Sequence, residues 1–210
     1  MTREPLSLIY EACVDSLEDA IGAQLRGASR IELCSALDQD GLTPSVELTR
    51  KCIEMLTIPV MVMIRPRRGN FVYSEAEIQQ MEIDIAHFKV VGIAGVVFGL
   101  LNELNFIDVE NTCHLAKLAF PLEVTFHKAI DFTPDLLKAF KELNSIEGIT
   151  RVLTSGGMDT AWNGREVIKA MYDLPERRIK IIAAGKVVPE NRVQIAAFTG
   201  VTELHGKKIV

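Results

Sequence analysis

The chain has no basic tract. Its 23 Lys and Arg residues are interleaved with 28 Asp and Glu, the net charge is −5, and only short pairs such as Arg67–Arg68 and Arg177–Arg178 stand out. Nucleic-acid binding wants a clustered positive face, so that class is excluded, and the pairs read as surface charge or, for the first, as a loop near a site. No apolar run approaches the length of a membrane span, which removes a membrane partner. Nothing at the start has the form of a secretory leader: Met1–Ser7 is polar, and the apolar run behind it is broken by Glu11 and Asp15. The four cysteines, Cys13, Cys34, Cys52 and Cys113, form no C-x-x-C pair. Untargeted and without a disulfide framework, the chain is expected in the cytoplasm with reduced thiols.

What is present is a regular alternation. Short β-branched runs at Leu8–Val14, Arg30–Cys34, Pro59–Arg65, Ala94–Phe98, Leu122–His127, Arg151–Thr154, Ile179–Ala184 and Thr202–His205 are separated by segments of helical period. The helices are expected near 16–27, 45–56, 75–90, 108–119, 134–144, 160–172 and 190–198. Ser16 with Asp19 and Ser74 with Glu77 have capping-box spacing, and Thr133–Pro134 supplies an N-cap followed by proline at N1. Strand–helix repetition of this kind builds parallel βαβ units, and no Pro/Gly-rich linker divides them. The expected fold is a single α/β domain over residues 1–210, a TIM-type (β/α)8 barrel. It is short beside the ~250 residues usual for that fold and lacks a full eighth helix. An outer gap over the first and last strands would leave apolar surface, which favours a homo-oligomer, dimer or tetramer.

Period-two alternation then separates the two faces of each strand. Tyr10, Ala12 and Val14 form an apolar set that must meet helices, leaving Glu11, Cys13 and Asp15 inward. The same split leaves Arg30, Glu32 and Cys34 in the second strand, Met61, Met63 and Arg65 in the third, and Glu123, Thr125 and His127 in the fifth. Lys180 faces inward from the seventh strand, and Glu203 and His205 from the eighth. Buried charges need partners, so the deeper groups are expected to form an ionic layer, with Arg30 or Lys180 against Glu123 or Glu203. Those at or just past the C-terminal strand ends, Cys13, Asp15, Cys34, Arg65, His127 and Asp131, lie where barrel sites are built.

The following loops carry further candidates. Arg65-Pro66-Arg67-Arg68 would bring guanidinium groups over the mouth, and arginine suits bidentate capture of carboxylate or phosphate. Thr154-Ser155-Gly156-Gly157 and Ala184-Gly185-Lys186 follow late strands, where backbone N–H groups can approach an anion. Neither is a complete phosphate motif, and either turn could simply reverse the chain. Cys13 and Cys34 each stand two residues after a glutamate in successive strands, so their thiols could meet at the mouth. Two soft sulfurs near Met61 and Met63 suit Cu(I), whereas as plain core filler they would need no ligand. Cys52 and Cys113 are expected in the core, and His87 and His114, on helices, have no evident role.

Taken in order, Glu11-Ala12-Cys13-Val14-Asp15-Ser16, Arg30-Ile31-Glu32-Leu33-Cys34-Ser35, Gly41-Leu42-Thr43-Pro44-Ser45, Met63-Ile64-Arg65-Pro66-Arg67, Thr125-Phe126-His127, Leu153-Thr154-Ser155-Gly156 and Glu203-Leu204-His205 closely resemble the CutC copper homeostasis family. The resemblance implies a TIM-like barrel, a cytoplasmic setting, self-association and a role in copper handling, with Cys13 and Cys34 as Cu(I) ligands. There are departures: Lys128 stands where the family usually has arginine, Ala183-Ala184-Gly185-Lys186 replaces a run of glycines, and the family's usual segment beyond the last strand is absent.

Two functional readings result. One is a copper homeostasis protein that holds Cu(I) through Cys13 and Cys34. The other is a lyase, isomerase or hydrolase acting on a small anionic or sugar-like compound. There Glu11, Glu32, His127 and Asp131 would serve as acid–base groups, while Arg65, Arg67, Thr154, Ser155 and Gly156 would hold the substrate.

Overall fold

In a computed structural model describing residues 7–210, the polar start of the chain lies outside the described residues apart from Ser7. Among the described residues, eight parallel strands close into one barrel in sequential order: β1 (Ile9–Val14), β2 (Arg30–Leu33), β3 (Val60–Met63), β4 (Gly95–Phe98), β5 (Glu123–Phe126), β6 (Ile149–Thr154), β7 (Lys180–Ala183) and β8 (Glu203–Gly206). Seven α-helices wrap it: α1 (Leu17–Leu25), α2 (Val46–Met55), α3 (Glu75–Val91), α4 (Val109–Ala119), α5 (Leu136–Ser145), α6 (Arg165–Tyr172) and α7 (Arg192–Thr199). The expected TIM-type barrel is therefore the observed one.

Local signals explain most helix starts. Ser74 and Glu77 form a complete capping box at α3. At α1 the Ser16 hydroxyl accepts from the Asp19 N–H, but the Asp19 carboxylate takes the Ser16 hydroxyl proton rather than closing on the backbone. The expected start of α5 is displaced: Asp135, not Thr133, is the N-cap, accepting from Lys138 N. Thr133 instead ends a 3-10 turn over Lys128–Phe132 and donates to the Ile130 carbonyl. Cys52 is fully buried as expected, while Cys113 is only partly buried at the edge of the core.

The main core lies between strands and helices, where Ile31, Leu33, Val62, Val96, Val124 and Leu204 meet the helical ring. The expected apolar gap over β1 and β8 is largely closed. Leu204 and Ile209 are fully buried, the Ile209 carbonyl accepts from Arg192 at the head of α7, and Val210 O accepts from Arg26 just after α1. Arg192 also lies 4.0 Å over the Tyr10 ring. The tail thus bridges α1 and α7.

Inside the barrel, the register lays side chains in tiers. Glu11 pairs with Arg30 on one side and His205 on the other, and Cys13 pairs with Glu32. The deep tier is ionic: Arg30 binds Glu11 at 2.5 Å and Glu203 at 2.6 Å, and Arg151 reaches Glu203 at 3.0 Å and Glu123 at 2.5 Å. Arg151 is the cation that strand alternation did not reveal. Lys180 pairs with Glu203 at 3.4 Å as expected, but from the lower rim, where its own side chain is 62% exposed.

Candidate functional site

Above the ionic tier, at the C-terminal ends of the strands, lies a cavity of about 490 Å³. Its floor is a cluster of side chains from β1, β2 and β8. Cys13 Sγ and Cys34 Sγ are 3.9 Å apart, and Cys34 Sγ lies 3.8 Å from Glu32 Oε2. His205 presents Nδ1 to Glu11 Oε1 at 2.9 Å and Nε2 to Glu32 Oε2 at 3.6 Å. Cys13 Sγ, a Glu32 oxygen and a His205 nitrogen all fall within 4.8 Å of one another. Three different strands thus supply donors of metal-ligating type to one small volume.

Burial sets the protonation of this cluster. It would disfavour an ionised Glu11, but Arg30 and His205 outweigh it and hold that carboxyl at about 2. Glu32 has no cation so close, and burial raises it despite the pull of His205. Cys13 is raised well above a normal thiol by its contact with Cys34 and by burial. In Cys34 the contact with Cys13 acts downward, yet burial and the nearby Glu32 prevail and raise it. Burial would lower His205, but Glu32, Cys13 and Glu11 reverse this and lift it well above the usual imidazole value.

The cavity's other wall comes from the loop after β3 and the end of β5. Arg65 is buried, its guanidinium held by the carbonyls of Asp40 at 3.1 Å, Gly41 at 3.2 Å and Gly69 at 3.0 Å. Phe71 packs between it and His127, 5.0 Å from Arg65 Cζ and 4.9 Å from the imidazole centroid. His127 Nδ1 accepts from Ala129 N at 3.2 Å. A nitrogen that accepts carries no proton, so the neutral ring carries its hydrogen on Nε2. Burial, aided by Arg65, pushes His127 down to about 3, which keeps it neutral.

The structure separates the remaining sequence candidates. Arg67 turns away from the cavity and binds Glu77 at 2.5 Å and the Val72 carbonyl at 2.6 Å. Asp131, expected beside His127 as an acid–base group, is directed into the turn after β6. It accepts from the Thr154 hydroxyl, from Ser155 N and Oγ at 2.9 Å each, and from Gly157 N at 3.0 Å. Thr154, Ser155 and Gly157 do form an anion-binding turn, but its anion is the chain's own carboxylate; Gly156 N donates to the Thr154 hydroxyl, and none of Thr154, Ser155 and Gly156 lines the cavity. Glu11 is likewise committed to Arg30 and His205 below the floor. The sequence sets His205 inward at the end of the last strand and gives it no ligand role. The signal was available, since Glu203-Leu204-His205 repeats the spacing of Glu11-Ala12-Cys13 and Glu32-Leu33-Cys34.

Comparison with known proteins bears on what this floor is. The CutC family profile matches residues 8–210. The chain belongs to the CutC family. Mouse (Mus musculus) copper homeostasis protein cutC homolog is 42% identical over 197 residues, spanning 94% of this chain and 72% of that protein. A CutC family protein of Aliivibrio fischeri is 42% identical over 202 residues, 95% of this chain and 81% of its own. Among solved structures, a CutC protein from Streptococcus agalactiae superposes with TM-score 0.91 at 34% identity, covering 97% of this chain and all of that one. Phosphoenolpyruvate phosphomutase from Streptomyces platensis subsp. rosaceus, at 12% identity and TM-score 0.64 over 96% and 76% of the two chains, shares the barrel alone. Within this CutC chain, the two E-x-C segments and the E-x-H segment are the ones that build the cavity floor.

Proposed function

We propose that the protein handles copper in the cytoplasm, taking Cu(I) as its cargo through Cys13 and Cys34 at the barrel mouth. The observation that carries this reading is the pair of sulfurs 3.9 Å apart on neighbouring strands, with His205 beside Cys13. Thiolates and imidazole are the donors that soft Cu(I) favours, and Glu32 Oε1, buried without a partner, leaves the cluster one unmet polar contact. Membership of a family whose mouse relative is called a copper homeostasis protein supports the same metal. No helix of the described residues is long and apolar enough to cross a membrane. The cytoplasmic setting follows from the chemistry, since Cu(I) ligation requires reduced thiols.

Within this reading Cys13 and Cys34 would give up their thiol protons and His205 the proton on Nε2, while Glu11 holds the ring through Nδ1 as supporting carboxylates orient ligating imidazoles. Arg30 in turn fixes Glu11, so the ionic tier holds the floor in position. Anaerobic titration against a chromophoric Cu(I) competitor is the test. Cys13→Ala and Cys34→Ala should each lose more affinity than the ~10–100-fold typical for loss of a supporting residue. Unchanged affinity in both would remove copper from the site.

A further inference from the structure

A cavity of about 490 Å³ is far larger than one ion requires and falls within the range of small-molecule sites. Its upper wall contains an unusual group. Arg65 is 4% exposed, and among the described residues it has no carboxylate partner. Its bonds to carbonyl oxygens fix the guanidinium plane without neutralising it. A buried cation left in that condition is costly unless an anion arrives.

Three orphaned polar atoms belong to residues that line the same cavity. Arg65 Nε, His127 Nε2 and Glu32 Oε1 are all buried without a hydrogen-bond partner, and all three residues line it. Native proteins leave few such atoms, and each calls for a cause. Two of these atoms are donors: Nε carries hydrogen by its chemistry, and Nε2 carries it because Nδ1 accepts from Ala129. Both residues pack on Phe71, which ties the guanidinium and the imidazole to one wall of the cavity. Lys128 and Lys207 add positive charge to the cavity lining. Glu32, toward the thiol end, offers the complementary oxygen, which pairs with a hydroxyl.

We propose that this cavity binds a small hydroxy acid or sugar acid, its carboxylate held by Arg65 and His127 against Phe71 and a hydroxyl held by Glu32. The site shares the cavity and Glu32 with the thiol cluster, but its anion-binding end lies at Arg65 and His127 and needs no metal. A neutral imidazole is the better donor for such a ligand, since it can give its proton's hydrogen bond without adding a second buried charge beside Arg65.

Calorimetric titration of metal-free protein with glycerate and gluconate tests the proposal, with propionate, glycerol and inorganic phosphate as comparison probes. At least one hydroxy acid should bind about tenfold or more tightly than propionate or glycerol, as loss of one hydrogen bond to a charged group implies. His127→Phe, checked for native circular dichroism, should weaken binding by a similar factor, while His127→Gln, which keeps an N–H donor, should recover part of it. Arg65→Lys should retain measurable binding where Arg65→Met does not. Acid binding by metal-free wild type, with no copper added, separates this site from the metal. The proposal fails if neither acid binds wild type, if phosphate binds as tightly, or if folded His127→Phe binds normally.

Discussion

At the scale of single residues, His127 shows how a strand end becomes a site. The backbone of Gly99, one strand over, leaves room for it: a Cβ there would collide with the imidazole Nδ1 and Cε1 atoms. Gly99→Ala should therefore push the ring off Ala129 and lower stability by about 1–3 kcal/mol, the usual cost of overpacking, as urea unfolding would show. Normal stability with an unmoved ring would contradict the packing argument. The ring's protonation gives a second prediction. In the unfolded chain His127 titrates near 6.5, whereas in the fold it is held at about 3. Between those values the unfolded state binds the extra proton, so stability falls as pH drops from about 6.5 toward 3, by up to ~1.4 kcal/mol per unit. The stability difference between wild type and His127→Gln, followed from pH 7 to pH 4, isolates this term: it should shift in favour of the variant on acidification. A difference independent of pH would mean that the ring already protonates in the fold. The position of His127 was legible, because it ends an alternating strand. Its neutrality was not, since that depends on Ala129 N–H and on Arg65, which arrives from another loop. Asp131, four residues on, seemed its natural partner, yet the turn at Ser155–Gly157 offers that carboxylate several donors.

At the scale of elements, the strands divide the barrel into an ionic tier below and the thiol–imidazole floor above. Arg30 joins β1 to β8 through Glu11 and Glu203, both nearly inaccessible to solvent. Arg30→Met would take the shared cation from two buried carboxylates, leaving Glu11 to His205 and Glu203 to Arg151, and a loss of about 3–5 kcal/mol in denaturant unfolding is expected. Lys180→Met removes only a rim charge from the same Glu203 and should cost less than about 1 kcal/mol. Similar losses for the two variants would refute the tiered arrangement. Strand alternation exposed this tier because the outward residues had to be apolar, which left the charges only one direction. It failed at β6, where Val152 and Leu153 are both apolar and conceal the inward Arg151. At Lys180 it found the partner, Glu203, but not the exposure, since a residue at the first position of a strand still reaches water. Loop partners were least legible. Arg67 looked free to cap the mouth, but Glu77, already turned toward the start of α3 by its capping box, lies close enough to capture it.

At the scale of the whole molecule, closure of the barrel brings residues from the two ends of the chain into one cluster: Cys13 and His205 meet only because β1 pairs with β8. The unfolded chain has no comparable arrangement, with most of the sequence separating the thiols from the imidazole. A ligand of this floor therefore stabilises the native state almost alone. At a free concentration 100 times its Kd, Cu(I) should add about 2.7 kcal/mol, which for a domain of this size is roughly 5–11 °C in Tm. Anaerobic thermal scans with and without buffered Cu(I) measure the effect, and the Cys13→Ala/Cys34→Ala variant supplies the contrast. If wild type rises and the variant does not, the stabilising metal sits at the closed end of the β1–β2–β8 seam. If both rise equally, the copper is bound elsewhere on the chain, and barrel closure has no part in holding it.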